Sequence, residues 1–372
     1  MLTSRRDFRR LKLVATPELS NVLTEAGTLG DDAAKERRAW VRRPRASSQV
    51  IGVYVALLVM WIVLTIASPF FLTVQNVRSL LIAASTLSLV GAGLTIVLIA
   101  GEIDLSFAAM QAFVGSIVAL LVIKVGMPWP LAILVGLSCG TFAGVVSGLV
   151  SVIARLPTFI TTLAMLGIVQ GTAFLLTNGQ PVTGFPVAYQ VIGTGRVGPV
   201  PLAIAVVVVF YVLLYFMLNH TVFGLHIYAV GGNRAASNVV GINSNRIVVG
   251  VLALSAFLAS VSGVIITSRL GAGSGNYGAE DLLPAVAAVI IGGTSLNGGV
   301  GSLLGTFGGV MIIVTINDGL VLLNVSQFWQ QVVVGIIIMG AVLIDQAARG
   351  YLSSGWLDRV RGGQERRIGA SK

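Results

Sequence analysis

The sequence predicts an all-α polytopic membrane protein of about ten transmembrane helices, with broken or re-entrant segments and signs of an internal repeat. Three observations carry this. Hydrophobic residues make up 55% of the 372 and charged residues 10%, with a mean hydropathy of +0.92; a soluble domain carries about 25% charged residues. The apolar residues fall into runs long enough to cross a hydrocarbon core about 30 Å thick. Lysine and arginine gather at alternate ends of those runs, as the positive-inside rule requires.

Residues 1–49 are polar and strongly basic, with "RRDFRR" and "KERRAWVRRPR". They read as a flexible cytoplasmic tail in contact with anionic lipid. Spans follow near 50–67, 80–100, 106–123, 131–153, 158–177, 200–218, 247–268, 282–296, 300–316 and 328–345, and together form one transmembrane domain, 50–345. The span 282–296 is short and reads as broken or re-entrant. Residues 346–372 form a second basic tail. With ten spans, twenty of the twenty-four lysines and arginines lie on one side, leaving Arg78, Lys124, Arg196 and Arg269 opposite. Both termini are therefore expected in the cytoplasm, and the +10 net charge is an orientation signal rather than a nucleic-acid footprint.

The break between the second and third spans, "IAGEIDLSFAAM", places Glu102 and Asp104 between two apolar runs just after Gly101. Setting "VLIAGEIDLSFAAM" from Val97 against "AVIIGGTSLNGGVG" from Ala288 aligns Gly101 with Gly292, Asp104 with Ser295 and Leu105 with Leu296. Such self-similarity suggests two repeated halves. Asp104 and Ser295 each precede a new run and are expected as N-caps, whose oxygens accept the free N–H groups of a restarting helix. Intramembrane carboxylates are also commonly functional. Gly101, Glu102, Asp104, Ser106, Gly292, Gly293, Thr294 and Ser295 are thus candidates for a helix restart or a transport path. Glu102 has no polar counterpart in the second half and is expected to face water or a basic group.

Gly136, Gly140, Gly144 and Gly148 form a stripe at intervals of four, as do Gly301, Gly305 and Gly309. Such stripes let helices approach closely in lipid. A sliding surface is the sharper alternative. The loop 219–246 contains "GGNRAASNVVG". Asn233 is a fair N-cap, "RAASNVV" a short helix and Gly241 a suitable stop. Val239 and Val240 would then either pack back on the membrane domain or dock in the groove of a partner. The loop Thr177–Pro201, with Asn178 and Gln180, is either a plain connector or an outer docking surface.

No metal-ligand spacing and no GxxxxGK[ST] phosphate loop occurs, so no metal and no cofactor is expected on this chain. Cys139 is the single cysteine and forms no disulfide within the chain.

The stretches "GEIDLS", "LPTFITTLAMLGIVQGTAFLLTNGQPV", "YAVGGNRAASNVVGIN" and "AAVIIGGTSLNGGVGSLLGTFGGVM", in that order, resemble the permease subunits of bacterial ABC importers for ribose and related sugars. The likeness runs from about residue 50 to 345. The family carries a second glycine where Glu102 stands and an "SVGS"-like run where "SFAAM" stands. The resemblance implies an inner-membrane transport subunit rather than an enzyme. It implies a homodimer or a paired permease, two cytoplasmic ATPase subunits and a periplasmic sugar-binding protein as partners, with no nucleic acid. It also implies that Gly231, Gly232, Asn233, Arg234, Ala235, Ala236, Val239, Val240 and Gly241 form the coupling helix seated on the ATPase. The substrate would be a pentose, hexose or related polyol. An ion-coupled secondary transporter using Glu102 or Asp104 is the competing expectation.

Overall fold

The computed structural model describes residues 46–348; the two basic tails lie outside the described residues except for 46–49 and 346–348, which belong to the first and last helices. Thirteen α-helices make up almost all of the regular structure in that range. They are α1 (Ala46–Ala67), α2 (Val74–Ile99), α3 (Phe107–Ala119), α4 (Trp129–Ala154), α5 (Thr158–Thr177), α6 (Val187–Thr194) and α7 (Leu202–His220). Then come α8 (Val222–Gly232), α9 (Arg234–Val239), α10 (Ser244–Leu270), α11 (Leu282–Ile291), α12 (Leu303–Leu322) and α13 (Gln327–Ala348). A π-helical turn, Leu120–Lys124, extends α3. Two antiparallel pairs of two-residue strands, β1 (Val182–Thr183) with β4 (Ala272–Gly273) and β2 (Arg196–Val197) with β3 (Val200–Pro201), and a single 3-10 turn, Ala279–Asp281, complete the described elements.

Eight helices among the described residues are long and apolar enough to cross a bilayer: α1, α2, α3 with its π turn, α4, α5, α7, α10 and α12. The described apolar part of α13 covers Phe328–Gly340. The expected span 282–296 is broken, as its shortness suggested. Its helix, α11, has ten residues and is about 15 Å long at 1.5 Å per residue, half the hydrocarbon thickness. The rest of that run is irregular backbone.

The bundle is built around α2, in which every residue from Ala84 to Ile99 is buried. α10, α12, α11 and α7 surround it. α1 lies on the outside, fastened to α12 by the Tyr54 hydroxyl on Leu304 O (3.0 Å) and the Trp61 indole N–H on Thr315 Oγ1 (3.1 Å). The glycine stripe of α4 is a packing surface. A methyl group added at Gly144 would lie 2.5 Å from Ala256 Cβ, and one at Gly148 would lie 2.8 Å from Val249 Cα, so α4 and α10 touch backbone to backbone. Gly305 and Gly309 bring α12 against α11 in the same way, whereas Gly301 precedes that helix.

The loop Thr177–Pro201 packs onto the bundle. Its helix α6 tucks Tyr189, fully buried, against α10, with its hydroxyl 2.5 Å from Thr267 Oγ1. The Ser268 hydroxyl donates to Tyr189 O and accepts from Gly193 N–H, both at 2.7 Å. Asn178 and Gln180 sit exposed just past α5. β1 pairs with β4 at the start of residues 271–281, which re-enter the bundle. Gly273 lies against Gly115 and Ala119, and Gly278 against Ala108 and Gln111. The segment therefore descends about 10 Å along α3 before α11 begins.

Candidate functional site

Both breaks end their helices by the same physical device. After α2, Ala100 N–H bonds Ile96 O, Gly101 N–H bonds Leu98 O and Glu102 N–H bonds Val97 O. After α11, Gly292 N–H bonds Ala288 O, Gly293 N–H bonds Ile290 O and Thr294 N–H bonds Val289 O. This is the Schellman closure, which needs a left-handed residue just past the cap. Gly101 (φ 77°) and Gly293 (φ 85°) supply it at no steric cost. The repeat is therefore structural, but its register shifts by one: Gly101 corresponds to Gly293, not Gly292, and Glu102 to Thr294.

The expected caps are also corrected. α3 starts at Phe107 with Ser106 at the N-cap position, and α12 starts at Leu303 capped by Ser302, whose hydroxyl accepts Gly305 N–H. Asp104 lies two residues upstream of that cap. Its Oδ1 accepts the Ser106 N–H (2.8 Å) and hydroxyl (2.7 Å), and its Oδ2 accepts the Ser255 hydroxyl on α10 (2.7 Å). It is buried at 1% exposure and clamps the break onto α10. Ser295 closes a tight turn, accepting Asn297 N–H at 3.1 Å, with its own N–H on Val300 O.

Irregular backbone at membrane depth needs partners for its N–H groups. In the first break two of them come from α5. Ile103 N–H bonds Thr158 Oγ1 and Leu105 N–H bonds Thr162 Oγ1, both at 3.2 Å. These two threonines, one turn apart in "LPTFITTLAML", were not singled out from the sequence. A Thr-x-x-x-Thr pair at the start of a span was the available signal.

Glu102 finds the basic group expected of it. Its Oε1 accepts Arg234 Nη1 at 2.8 Å, and its Oε2 accepts the Thr158 hydroxyl at 2.8 Å. Arg234 is the first residue of α9, and its Nη2 also reaches Asn245 Oδ1 at 3.3 Å. Asn233 caps α9 by accepting Ala236 N–H at 2.9 Å, and Gly241 follows with φ 88°. Alongside the pair lies a cavity of about 390 Å³ lined by Glu102, Ser151, Arg155, Pro157, Arg234 and Asn245.

The glycines before α9 join the two breaks. A methyl group at Gly231 would sit 1.7 Å from Ile99 O and 2.8 Å from Gly299 N; one at Gly298 would sit 2.8 Å from Gly101 Cα. Gly299 N–H itself donates to Ile99 O at 2.8 Å, and the Tyr228 hydroxyl of α8 donates to Gly301 O at 3.2 Å. Three stretches distant in sequence, at Gly101, Gly231–Gly232 and Gly298–Gly299, thus form a single backbone junction. α9 projects from this junction with Val239 and Val240 exposed at 87% and 74%. Arg234, Ala235 and Ala236 are exposed beside them. Asn178 and Gln180 take no part in it.

Comparison with known proteins places this geometry in context. Residues 76–342 match the family described as "Branched-chain amino acid transport system / permease component". The ribose import permease protein RbsC of Bacillus subtilis (strain 168) is 38% identical over 300 residues, covering 80% of this chain and 93% of that one. Its counterpart in Escherichia coli (strain K12) is 37% identical over 295 residues, covering 78% and 92%. The xylose transport system permease protein XylH of Escherichia coli (strain K12) is 31% identical over 340 residues, covering 75% and 86%. No solved structure matches the chain.

Proposed function

Since the chain belongs to the family of branched-chain amino acid transport system permease components, and its curated relatives are sugar permeases, we propose that it is the membrane subunit of an ATP-driven sugar importer. It moves a pentose, hexose or related polyol inward across the inner membrane by alternating access. ATP is hydrolysed on a separate cytoplasmic subunit, and a periplasmic binding protein delivers the sugar. Two permease chains, identical or paired, enclose the path. Both termini and α9 lie on the cytoplasmic side, and Arg234–Gly241 is the segment seated on the ATPase, with Asn178 and Gln180 on the outer face that meets the binding protein.

The observation that carries this reading is the junction of α9 with both helix breaks. A rigid-body displacement of α8 and α9 acts at once on the end of α2 and on the turn that follows α11, because the Gly231 backbone touches Ile99 O and Gly299 N and Arg234 holds Glu102. That is what transmission of an ATPase stroke requires. The same contacts speak against ion coupling at Glu102 or Asp104. Both oxygens of each carboxylate are already engaged by protein donors, whereas an ion-carrying carboxylate must exchange its partner with water.

Reconstitution tests the reading. Proteoliposomes holding this chain with its ATPase and binding protein should take up D-ribose, D-xylose or L-arabinose only with internal ATP. Uptake by this chain alone, driven by a sodium or proton gradient, would overturn it.

A further inference from the structure

The cavity of about 390 Å³ beside the Glu102–Arg234 pair contains a second arginine, Arg155, that the fold does not use. We propose that this cavity holds the charged phosphate group of an anionic phospholipid from the cytoplasmic leaflet. The proposal goes beyond the transport reading and holds whatever solute the chain carries. It takes from that reading only the side of the membrane on which α9 lies.

The charges inside the cavity do not balance. Arg155 and Arg234 line it together with a single carboxylate, Glu102. Both oxygens of that carboxylate are engaged, by Arg234 Nη1 and by the Thr158 hydroxyl, each at 2.8 Å. The Arg155 side chain has neither an ion pair nor a hydrogen bond among the described residues. One positive charge is therefore left over. Arg234 spends one N–H of Nη1 on Glu102 and one of Nη2 on Asn245, and a guanidinium has five N–H donors. Two arginines with donors to spare suit phosphate oxygens, which guanidinium groups bind in pairs.

The turn itself does not call for an arginine at 155. This residue closes α4 in the left-handed conformation, with φ 54°, where glycine or asparagine is the usual choice. Ser151 fixes the turn from behind: its hydroxyl donates to Leu156 O at 2.7 Å and its carbonyl accepts the Leu156 N–H at 3.0 Å. The backbone is thus set without the Arg155 side chain, whose charge remains for a ligand.

The surface beside the cavity favours a lipid over a free anion. Ile153 near the end of α4, Leu156 in the turn, and Phe159 and Ile160 at the start of α5 are all exposed. Both α4 and α5 are long and apolar enough to cross the bilayer. The charged cavity therefore lies where the apolar surface of two spans ends, so one lipid can place its phosphate in the cavity and its acyl chains on the spans. Basic pockets between spans on the cytoplasmic side are suited to anionic head groups, and the volume falls within the range of about 300–1,000 Å³ typical of small-ligand sites. An occupant also ties the end of α4 to Arg234, the first residue of α9.

The test uses the full chain in nanodiscs, with Cys139→Ala and a reporter Leu156→Cys at the cavity, labelled by N-ethylmaleimide. Replacing phosphatidylcholine stepwise by phosphatidylglycerol, up to an equal mixture, should slow labelling about threefold or more, as two-thirds occupancy requires. A reporter at Val240→Cys, outside the cavity, corrects for the change in surface potential. Arg155→Asn keeps a residue suited to the left-handed turn and removes the charge; it should abolish the protection and leave the melting temperature in phosphatidylcholine unchanged. Arg155→Lys should retain part of the protection. Inorganic phosphate added to phosphatidylcholine nanodiscs should protect weakly or not at all. Equal labelling rates in the two lipids, or protection that survives Arg155→Asn, would overturn the site. Protection by inorganic phosphate as strong as that by phosphatidylglycerol would overturn the lipid as occupant, and so would protection that appears only when the ATPase subunit is added. Sugar uptake by the assembled transporter is measured separately, so failure of this site leaves the transport reading standing.

Discussion

Arg234 Nη1 lies 2.8 Å from Glu102 Oε1, but the two side chains differ in setting: Arg234 is 47% exposed and Glu102 10%. The partners are therefore not equivalent. Removing the arginine strands a carboxylate that is nearly out of water. Removing the carboxylate releases a guanidinium that water can solvate. Arg234→Met should cost about 1–3 kcal/mol, the penalty of an uncompensated buried group, whereas Glu102→Gln should cost less than about 1 kcal/mol, as for exposed pairs. The double variant should recover part of the Arg234→Met loss. Thermal unfolding of the four proteins in detergent checks this; equal losses from both single variants would show that burial does not govern the pair.

The two glycines before α9 separate packing from helix propensity. A methyl group at Gly231 collides with Ile99 O, while one at Gly232 meets nothing within 4 Å. Gly231→Ala should therefore cost about 1–3 kcal/mol or more, since backbone cannot move aside cheaply. Gly232→Ala should change stability by less than about 1 kcal/mol, because alanine only raises helix propensity at the end of α8. Folded yield by fluorescence-detected gel filtration distinguishes the two.

Asp104 serves three donors, and its replacements can be ranked on that basis. Asn keeps Oδ1 for Ser106 and can donate its amide to Ser255 Oγ, so Asp104→Asn should retain most sugar uptake. Asp104→Leu leaves the Ser106 N–H and two hydroxyls without an acceptor, at about 1–3 kcal/mol for each buried group that finds no other partner. Uptake and melting temperature measured on both variants test the ranking. An Asn variant that folds normally yet transports no better than Leu would show that the charge itself is required.

α9 is six residues long, too short to be stable alone, since isolated helices below about 12–15 residues are marginal. Asn233 and the Glu102 contact keep it in place. Its outward face makes no demand on the fold. Ala236→Glu and Val239→Asp should insert and fold normally, yet sharply reduce recovery of the ATPase in pull-downs and abolish sugar-stimulated ATP turnover. Undiminished recovery and turnover in both would place the ATPase contact elsewhere.

Much of this architecture was legible along the chain, for identifiable reasons. Spans and α9 are written in local terms: apolar run length, Asn233 as a side-chain acceptor, Gly241 as a residue free to take positive φ. The α4 glycine stripe reads directly because four-residue spacing places Gly136 through Gly148 on one helix face. What sequence reasoning misplaced depended on three dimensions. Asp104 resembles an N-cap until Ser255, 151 residues away, claims its second oxygen. The repeat aligns on Gly292 by letter, but backbone geometry selects Gly293, because the closure requires the left-handed residue one step past the cap.

The sequence alone determined the membrane class, most of the spans, the orientation expected from charge, the family likeness and the need for water or a basic group at Glu102. Each follows from composition or from interactions within a few residues, where spacing along the chain equals spacing in space. Only the tertiary structure decided that Arg234 is the group Glu102 meets, that Thr158 and Thr162 supply the backbone of the first break, and that Gly101, Gly231 and Gly298 meet at one junction. Those relations join segments from about 55 to almost 200 residues apart, across helices whose packing is set by side-chain volume and by the demand that every buried N–H find an acceptor. No local pattern in the sequence encodes which distant acceptor that will be.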